Sequence, residues 1–205
     1  MTELMVIFGI AAVLSSLLWP TFGGMQERAH TVKCTENLRQ IGTALLNYAG
    51  EHDGTLPLTG DTLTHGAVTT GGAPGWTEQI SPYLESDRRV FVCPASSKVL
   101  PGNRNYSYFL GTRAAYVERG GFAAIQLSKA TDRARQIMGG DICAPMFDAA
   151  DVDKDDSTQN PAFAASPAPF HKGTVNLLFC DGHVGNFKAW DDNQMTVRYS
   201  GTGGY

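Results

Sequence analysis

The sequence predicts an α+β fold: one long N-terminal helix with a small antiparallel β-sheet head packed on its distal half. Three observations predict it. From Leu4 to Met25 there is no charged residue. The pattern then turns amphipathic and continues to Asp53-Gly54. Near the C-terminus, an Asp-Gly pair separates two β-prone runs, Val175–Cys180 and His183–Phe187.

Bulk properties narrow the classes. Of 205 residues, about 180 follow the apolar stretch, enough for one domain with a real core. Gly is high at 23, Pro is 10 and charged residues are 18% of the chain, which suits a loop-rich head. The net charge of -4 argues against a general nucleic-acid binder, because phosphate binding needs a basic face. The even count of cysteines (Cys34, Cys93, Cys143, Cys180) fits an oxidising compartment. No CxxC occurs, and no GxSxG, HExxH, P-loop or dinucleotide fingerprint is present, so no enzyme class is indicated and no catalytic residue is assigned.

The first element is the apolar run. Leu4 to Phe22 would reach about 28 Å as a helix, close to the hydrocarbon thickness of a bilayer. No Lys or Arg precedes it, and Glu3 stands where a signal peptide would carry basic residues. A carboxylate at the mouth of a membrane helix is costly, which gives it a functional reading; a plain signal anchor is the alternative. Pro20 lacks an N–H and crowds the preceding turn, and Gly23-Gly24 extends that weak spot. Helix then resumes with Leu38, Ile41, Leu45 and Tyr48 on one face. Gly54 supplies a left-handed stop. The whole helix is about 50 residues and about 75 Å long. Its stripe is too short for a coiled coil to be the main reading and serves instead as the seat for a sheet.

The run TELMVIFGIAAVL followed by Pro20 resembles the N-terminal helix of type IV pilins and type II secretion pseudopilins. That resemblance implies a chain missing its first two mature residues and its leader. It also implies that Glu3 is the acid that pairs with a neighbouring subunit's N-terminal amine, and that Pro20 is the helix-kinking proline. The segment from Cys34 to Ala49, Phe91-Val92-Cys93-Pro94, and the spacing from His171 to Asp181-Gly182 resemble a narrower, planctomycete-type subgroup. Its members pair a prepilin-type N-terminus with an H-X9-DG C-terminal motif. In that subgroup Cys34, Asn37, Cys93 and Pro94 are typical positions. The resemblance implies a pilin-like fold: residues 1–22 as the transmembrane half of the helix, 23–53 as its amphipathic half, and 54–205 as an extracytoplasmic head.

Between these landmarks the elements follow in order. Residues 55–75 read as a long Gly, Thr and Pro-rich loop. Trp76 to Leu84 is a short helix, with Trp76, Ile80 and Leu84 on one face. Arg89 to Val92 reads as a short apolar strand ending at Cys93-Pro94. Asn105 to Leu110 alternates and carries aromatics, which predicts a strand. Arg113 to Glu118 makes one helical turn, and Gln136 to Met138 is a strand ending at Gly139-Gly140-Asp141. Residues 144–173 are loop-like. The hairpin follows, because an Asp-Gly loop supplies positive φ at both turn positions.

Several site readings arise. Ten residues from His171 to Asp181 span up to about 33 Å if extended, so His171, Asp181 and His183 are not expected to share a metal. Asp181 and Gly182 shape the turn, and His171 anchors the strand entry by a hydrogen bond. Asp151, Asp153 and Asp155 open like a calcium loop, but Asp156 stands where Gly is needed and Ala162 where Glu is needed. An irregular calcium site, as the pseudopilin resemblance implies, and a solvated acidic loop are the two readings. For the cysteines, the subgroup resemblance favours Cys34–Cys93, and the flanking of two neighbouring strands favours Cys143–Cys180; free thiols are the alternative.

The resemblance implies a structural subunit of a type IV pilus-like or type II secretion filament. Its partners would be copies of itself and other pilins, a prepilin peptidase and an assembly platform. It would rest as a single-pass protein in a bacterial inner membrane and then in a surface or periplasmic filament. The rival reading is a membrane-anchored or tip-located minor pilin that binds a ligand through loops 55–75 and 144–170.

Overall fold

The computed structural model describes residues 2–58, 75–95, 107–119, 123–142, 156–157, 171 and 173–199; the side chains of 2, 3, 5, 11, 12, 16–25, 113, 116, 117, 156 and 157 lie outside the description. Helix α1 spans Thr2–Glu51 and continues through Pro20 and Gly23-Gly24 without interruption. No melted turn therefore separates the apolar half from the amphipathic one. The helix ends as its sequence dictates. Asp53 and Gly54 take positive φ (53° and 74°), and the Gly54 N–H donates to the Ala49 carbonyl at 2.8 Å, satisfying a carbonyl that the helix leaves orphaned.

The distal half of α1 is the floor of the head. Cys34, Leu38, Ile41, Leu45 and Ala49 are all buried, at the 3.6-residue spacing of one face, and Tyr48 packs beside them. A sheet lies on this floor, with strands β1 (Tyr108–Gly111), β2 (Ile137–Asp141), β3 (Asp156–Ser157), β4 (Val175–Phe179) and β5 (Val184–Phe187). Among the described residues its order is β3-β1-β2-β4-β5. The β1–β2, β2–β4 and β4–β5 pairs are antiparallel, and β3 joins the edge parallel to β1. The α+β class with an antiparallel sheet on a long helix is thus present.

Close approach sets two details. A Cβ on Gly42 would sit 2.7 Å from Leu178 Cδ1, so this glycine lets β4 lie directly on α1. A Cβ on Gly139 would sit 2.6 Å from the Phe109 carbonyl oxygen. The β2 strand therefore continues through Gly139-Gly140 to Asp141 rather than ending there.

Four sequence expectations need correction. Arg88–Phe91 is a 3-10 turn, not a strand. Asp87 caps it by accepting from the Arg89 N–H at 3.0 Å, a local bond that favours a helical turn over an extended strand. The helix at Trp76 is α2 (Trp76–Ile80), which passes into a 3-10 turn, Ser81–Leu84, carrying Pro82 in its first turn. The hairpin loop is also different in kind: only Gly182 has positive φ (92°), and Asp181 does not. The Gly182 N–H donates to the Phe179 carbonyl at 2.8 Å and the Phe179 N–H to the His183 carbonyl at 3.0 Å. This is the three-residue loop in which a left-handed glycine closes an ordinary turn. The expected single turn at Arg113 is a helix of about two turns, α3 (Arg113–Arg119).

Candidate functional site

Two features stand out once the head is assembled. The first is the N-terminal half of α1. Its described apolar side chains, Leu4, Val6, Ile7, Phe8, Ile10, Val13 and Leu14, are between 56% and 67% exposed. At about 100° per residue, they occupy more than half of the helix circumference. A helix apolar on so many sides is normally buried in a larger assembly or in lipid. Among the described residues, no helix is long and apolar enough to cross a membrane. Glu3 and Pro20 lie on this half of α1, with their side chains outside the described ones.

The second feature is a buried polar cluster beneath the sheet. Cys34 on α1 is joined by a disulfide to Cys93, and both are fully buried. One helical turn on, Asn37 Nδ2 donates to the Val92 carbonyl at 3.2 Å and to the Tyr108 hydroxyl at 3.4 Å. The segment around Cys93 is fixed from its other side by the residue that leads into β1: the Cys93 N–H donates to Ser107 Oγ at 3.0 Å, and the Ser107 N–H to the Phe91 carbonyl at 2.8 Å. Cys34 and Asn37 therefore clamp the Phe91–Pro94 element to the helix, one covalently and one by hydrogen bonds. Pro94 itself is exposed.

His171 sits against this clamp. Its Nε2 lies 3.5 Å from Cys93 Sγ and 3.4 Å from Asp141 Oδ2, and both side chains of the His171–Asp141 pair are fully buried. Asp141 Oδ2 also accepts the Asn176 N–H at 2.8 Å. The Thr31 hydroxyl donates to the Glu27 carbonyl at 3.1 Å, so its oxygen accepts from His171 Nδ1, 3.3 Å away. This assigns the imidazole proton to Nδ1 and turns Nε2 as an acceptor toward Asp141 and the disulfide. The His171 carbonyl takes both the N–H and the hydroxyl of Thr174, at 3.0 and 2.8 Å.

The pair does not behave as an ion pair, despite its short contact. Burial pushes the Asp141 carboxyl up to about 7. Burial, with His30 adding a smaller effect, pulls His171 down to about 4. Both shifts disfavour charge, as expected where water is excluded. At moderately acid pH the pair is a neutral carboxylic acid facing a neutral imidazole.

The far end of the motif has a separate job. The Asp181 carboxylate accepts the His183 N–H at 3.1 Å and contacts His183 Nδ1 at 2.6 Å, while the His183 ring stacks on Phe179. A Cβ on Gly182 would lie 3.1 Å from Leu46 Cδ1. His171 thus meets α1 at Thr31, and Gly182 meets it at Leu46. Those fifteen helical residues rise about 22 Å. The H-X9-DG spacing therefore measures the length of β4 laid along α1, with a contact at each end. His171 and Asp181 do not share a site. Gly182→Ala is expected to lower head stability by about 1 kcal/mol, since the new Cβ both resists positive φ and crowds Leu46. Denaturant midpoints of the two full-length proteins measure it, and a shift near zero would remove Gly182 from this role.

The expected Cys143–Cys180 bridge is corrected: Cys180 carries a free, buried thiol. Strand direction explains it. The start of β2 lies beside Cys180, whose N–H donates to the Gln136 carbonyl at 2.9 Å, and the end of β2 at Asp141 lies by the opposite end of β4. Burial pushes the Cys180 thiol up to about 12, which leaves it inert as a nucleophile. Cys143, Asp151, Asp153 and Asp155 lie outside the described residues, as do most of loops 55–75 and 144–170.

No curated protein and no solved structure matches the chain. Residues 25–90, which form the floor of the head and the elements that first fold back on it, match the family described as SBP_bac_10, protein of unknown function (DUF1559).

Proposed function

We propose that this chain is a pilin-like structural subunit that assembles through the apolar N-terminal half of α1. The observation that carries the reading is the exposure of the described apolar side chains on that half. Among the described residues the contacts between the head and α1 reach as far up the helix as Thr31, and the described side chains of Leu4, Val6, Ile7, Phe8, Ile10 and Leu14 are exposed. The match of residues 25–90 to DUF1559 is consistent with a pilin-like surface protein and supports it further. Before assembly the apolar half rests in a lipid bilayer; in a filament it packs against the same half of neighbouring copies. Glu3 then pairs with a neighbour's N-terminal amine, which neutralises a carboxylate otherwise costly in an apolar core.

Intact mass and N-terminal sequence test this, on protein recovered from native membranes with its own upstream DNA in place. The expected result is a membrane-associated chain with a processed, methylated N-terminal amine. A soluble chain or an unprocessed, unmethylated N-terminus overturns the filament reading. Val13→Arg tests the apolar surface. A charge there costs about 3 kcal/mol in lipid, so the membrane-associated share falls sharply while the head keeps its stability.

A further inference from the structure

The disulfide, His171 and Asp141 have a geometry that their structural role does not require. The donor atoms of Cys34, Cys93 and His171 all lie within 4.8 Å of one another, and Asp141 Oδ2 stands 3.4 Å from His171 Nε2. In a tetrahedral zinc site with bonds of about 2.3 Å to sulfur and about 2.1 Å to nitrogen and oxygen, neighbouring S and N ligands are about 3.5 Å apart and neighbouring N and O ligands about 3.4 Å. The observed separations are 3.5 Å for Cys93 Sγ to His171 Nε2 and 3.4 Å for His171 Nε2 to Asp141 Oδ2. The sulfurs must part, because any disulfide holds them at about 2 Å and a zinc site wants them about 3.8 Å apart, and Asp141, which lies beside His171 but outside the set of donors within 4.8 Å of one another, must swing in to complete the site.

Two further observations point to a ligand. The tautomer is already the one a metal needs: Nδ1–H is engaged by Thr31, and Nε2 faces the cluster. Asp141 is wholly buried, yet its Oδ1 has no hydrogen-bond partner. An orphaned oxygen on a fully buried carboxylate is unusual unless the site serves another state of the protein.

We propose that the reduced form of this protein binds one divalent zinc-type cation through Cys34, Cys93, His171 Nε2 and Asp141, in the place where the oxidised form holds its disulfide. The exchange balances as follows. A dithiol reductant delivers two electrons and two protons to the Cys34–Cys93 bond, which breaks to two thiols as the reductant becomes a disulfide. The cation then displaces both thiol protons to solvent and forms two metal–thiolate bonds. A disulfide oxidant reverses the order: it takes two electrons from the thiolates and two protons from solvent to become a dithiol, the Cys34–Cys93 bond reforms and the cation departs. Cys34 ties the head to α1 in either state, through the disulfide to Cys93 or through the metal.

The test uses the full-length chain, reduced with a phosphine and freed of metal. Added zinc is expected to bind one to one and to raise the thermal midpoint, because it binds the folded form. Cobalt(II) in its place is expected to give the strong visible bands of a tetrahedral site with thiolate-to-metal charge transfer. The oxidised chain is expected to bind neither. His171→Gln and Asp141→Asn, both near-isosteric, are each expected to weaken zinc binding at least about tenfold. Cys180→Ser controls for the remaining described thiol and is expected to leave binding unchanged. Absence of binding by the folded reduced chain overturns the proposal. So does an octahedral cobalt spectrum, or binding that survives both His171→Gln and Asp141→Asn, since thiols in an unfolded chain would do as much.

Discussion

A Cys34→Ser/Cys93→Ser double variant is expected to lose about 4 kcal/mol of head stability, the largest effect of any change considered. The bridge spans 59 residues of sequence, and closing a loop of that length removes that much chain entropy from the unfolded state. What the loop contains makes the loss consequential. It runs from α1 through α2 and the two 3-10 turns that cover the upper end of the helix. There Tyr48 bonds Gln79 at 2.9 Å, Trp76 meets Phe91 edge to face, and Asn37 holds Val92. Without the bridge these contacts must hold the segment unaided. Urea unfolding of the full-length chain with a chelator present measures the difference. At a slope of about 2 kcal/mol per molar, the midpoint is expected to fall by about 2 M. Reducing the natural protein under the same conditions is expected to give the same fall. A midpoint within a few tenths molar of the oxidised protein would falsify the clamp.

What the sequence discloses depends on how local the cause is. The α1 stripe is readable because its 3.6-residue period is written in consecutive turns, and Leu38, Ile41 and Leu45 are buried as that period requires. The hairpin is readable from Asp181-Gly182, although the loop type is not, since Asp-Gly suits both a two-residue turn and the three-residue loop found here. Arg88–Phe91 is misread because four residues with two apolar side chains look alike as strand or as 3-10 turn. The deciding signal was Asp87, whose side chain caps the turn. The residue missed altogether is Asp141. Its partner His171 lies thirty residues further on, and nothing local to either links them. The available hint was a carboxylate following Ile137-Met138-Gly139-Gly140 and preceding Ile142, an apolar setting in which an acid needs a buried partner. The disulfide at Cys34–Cys93 followed from a family resemblance. The pairing at Cys180 rested on strand neighbours without their direction, and direction is a tertiary property.

That hidden pair gives the second large prediction, made for the oxidised protein without metal. Asp141 has its acid constant raised from 3.8 to about 7. The folded state therefore keeps a proton that the unfolded state has lost, and its contribution to stability declines as pH rises through that window. His171 has its constant lowered from 6.5 to about 4. Here the unfolded state holds the extra proton, so stability grows as pH rises from about 4 to 6.5. Over the shared window the two slopes oppose one another, because the pair as a whole carries the same number of protons folded and unfolded. Breaking the pair exposes each slope. Asp141→Asn leaves the histidine, and relative to the natural protein it is expected to gain on the order of 3 kcal/mol from pH 4 to pH 7. His171→Gln leaves the acid and is expected to lose a similar amount over the same range. Urea midpoints at both pH values, taken as differences from the natural protein, cancel the exposed groups common to all three chains. Slopes of the same sign in the two variants would mean that Asp141 and His171 titrate independently of burial. Opposite slopes would show that a pH scan of the natural protein alone conceals a buried acid–base pair, since its two halves offset each other wherever both are intact.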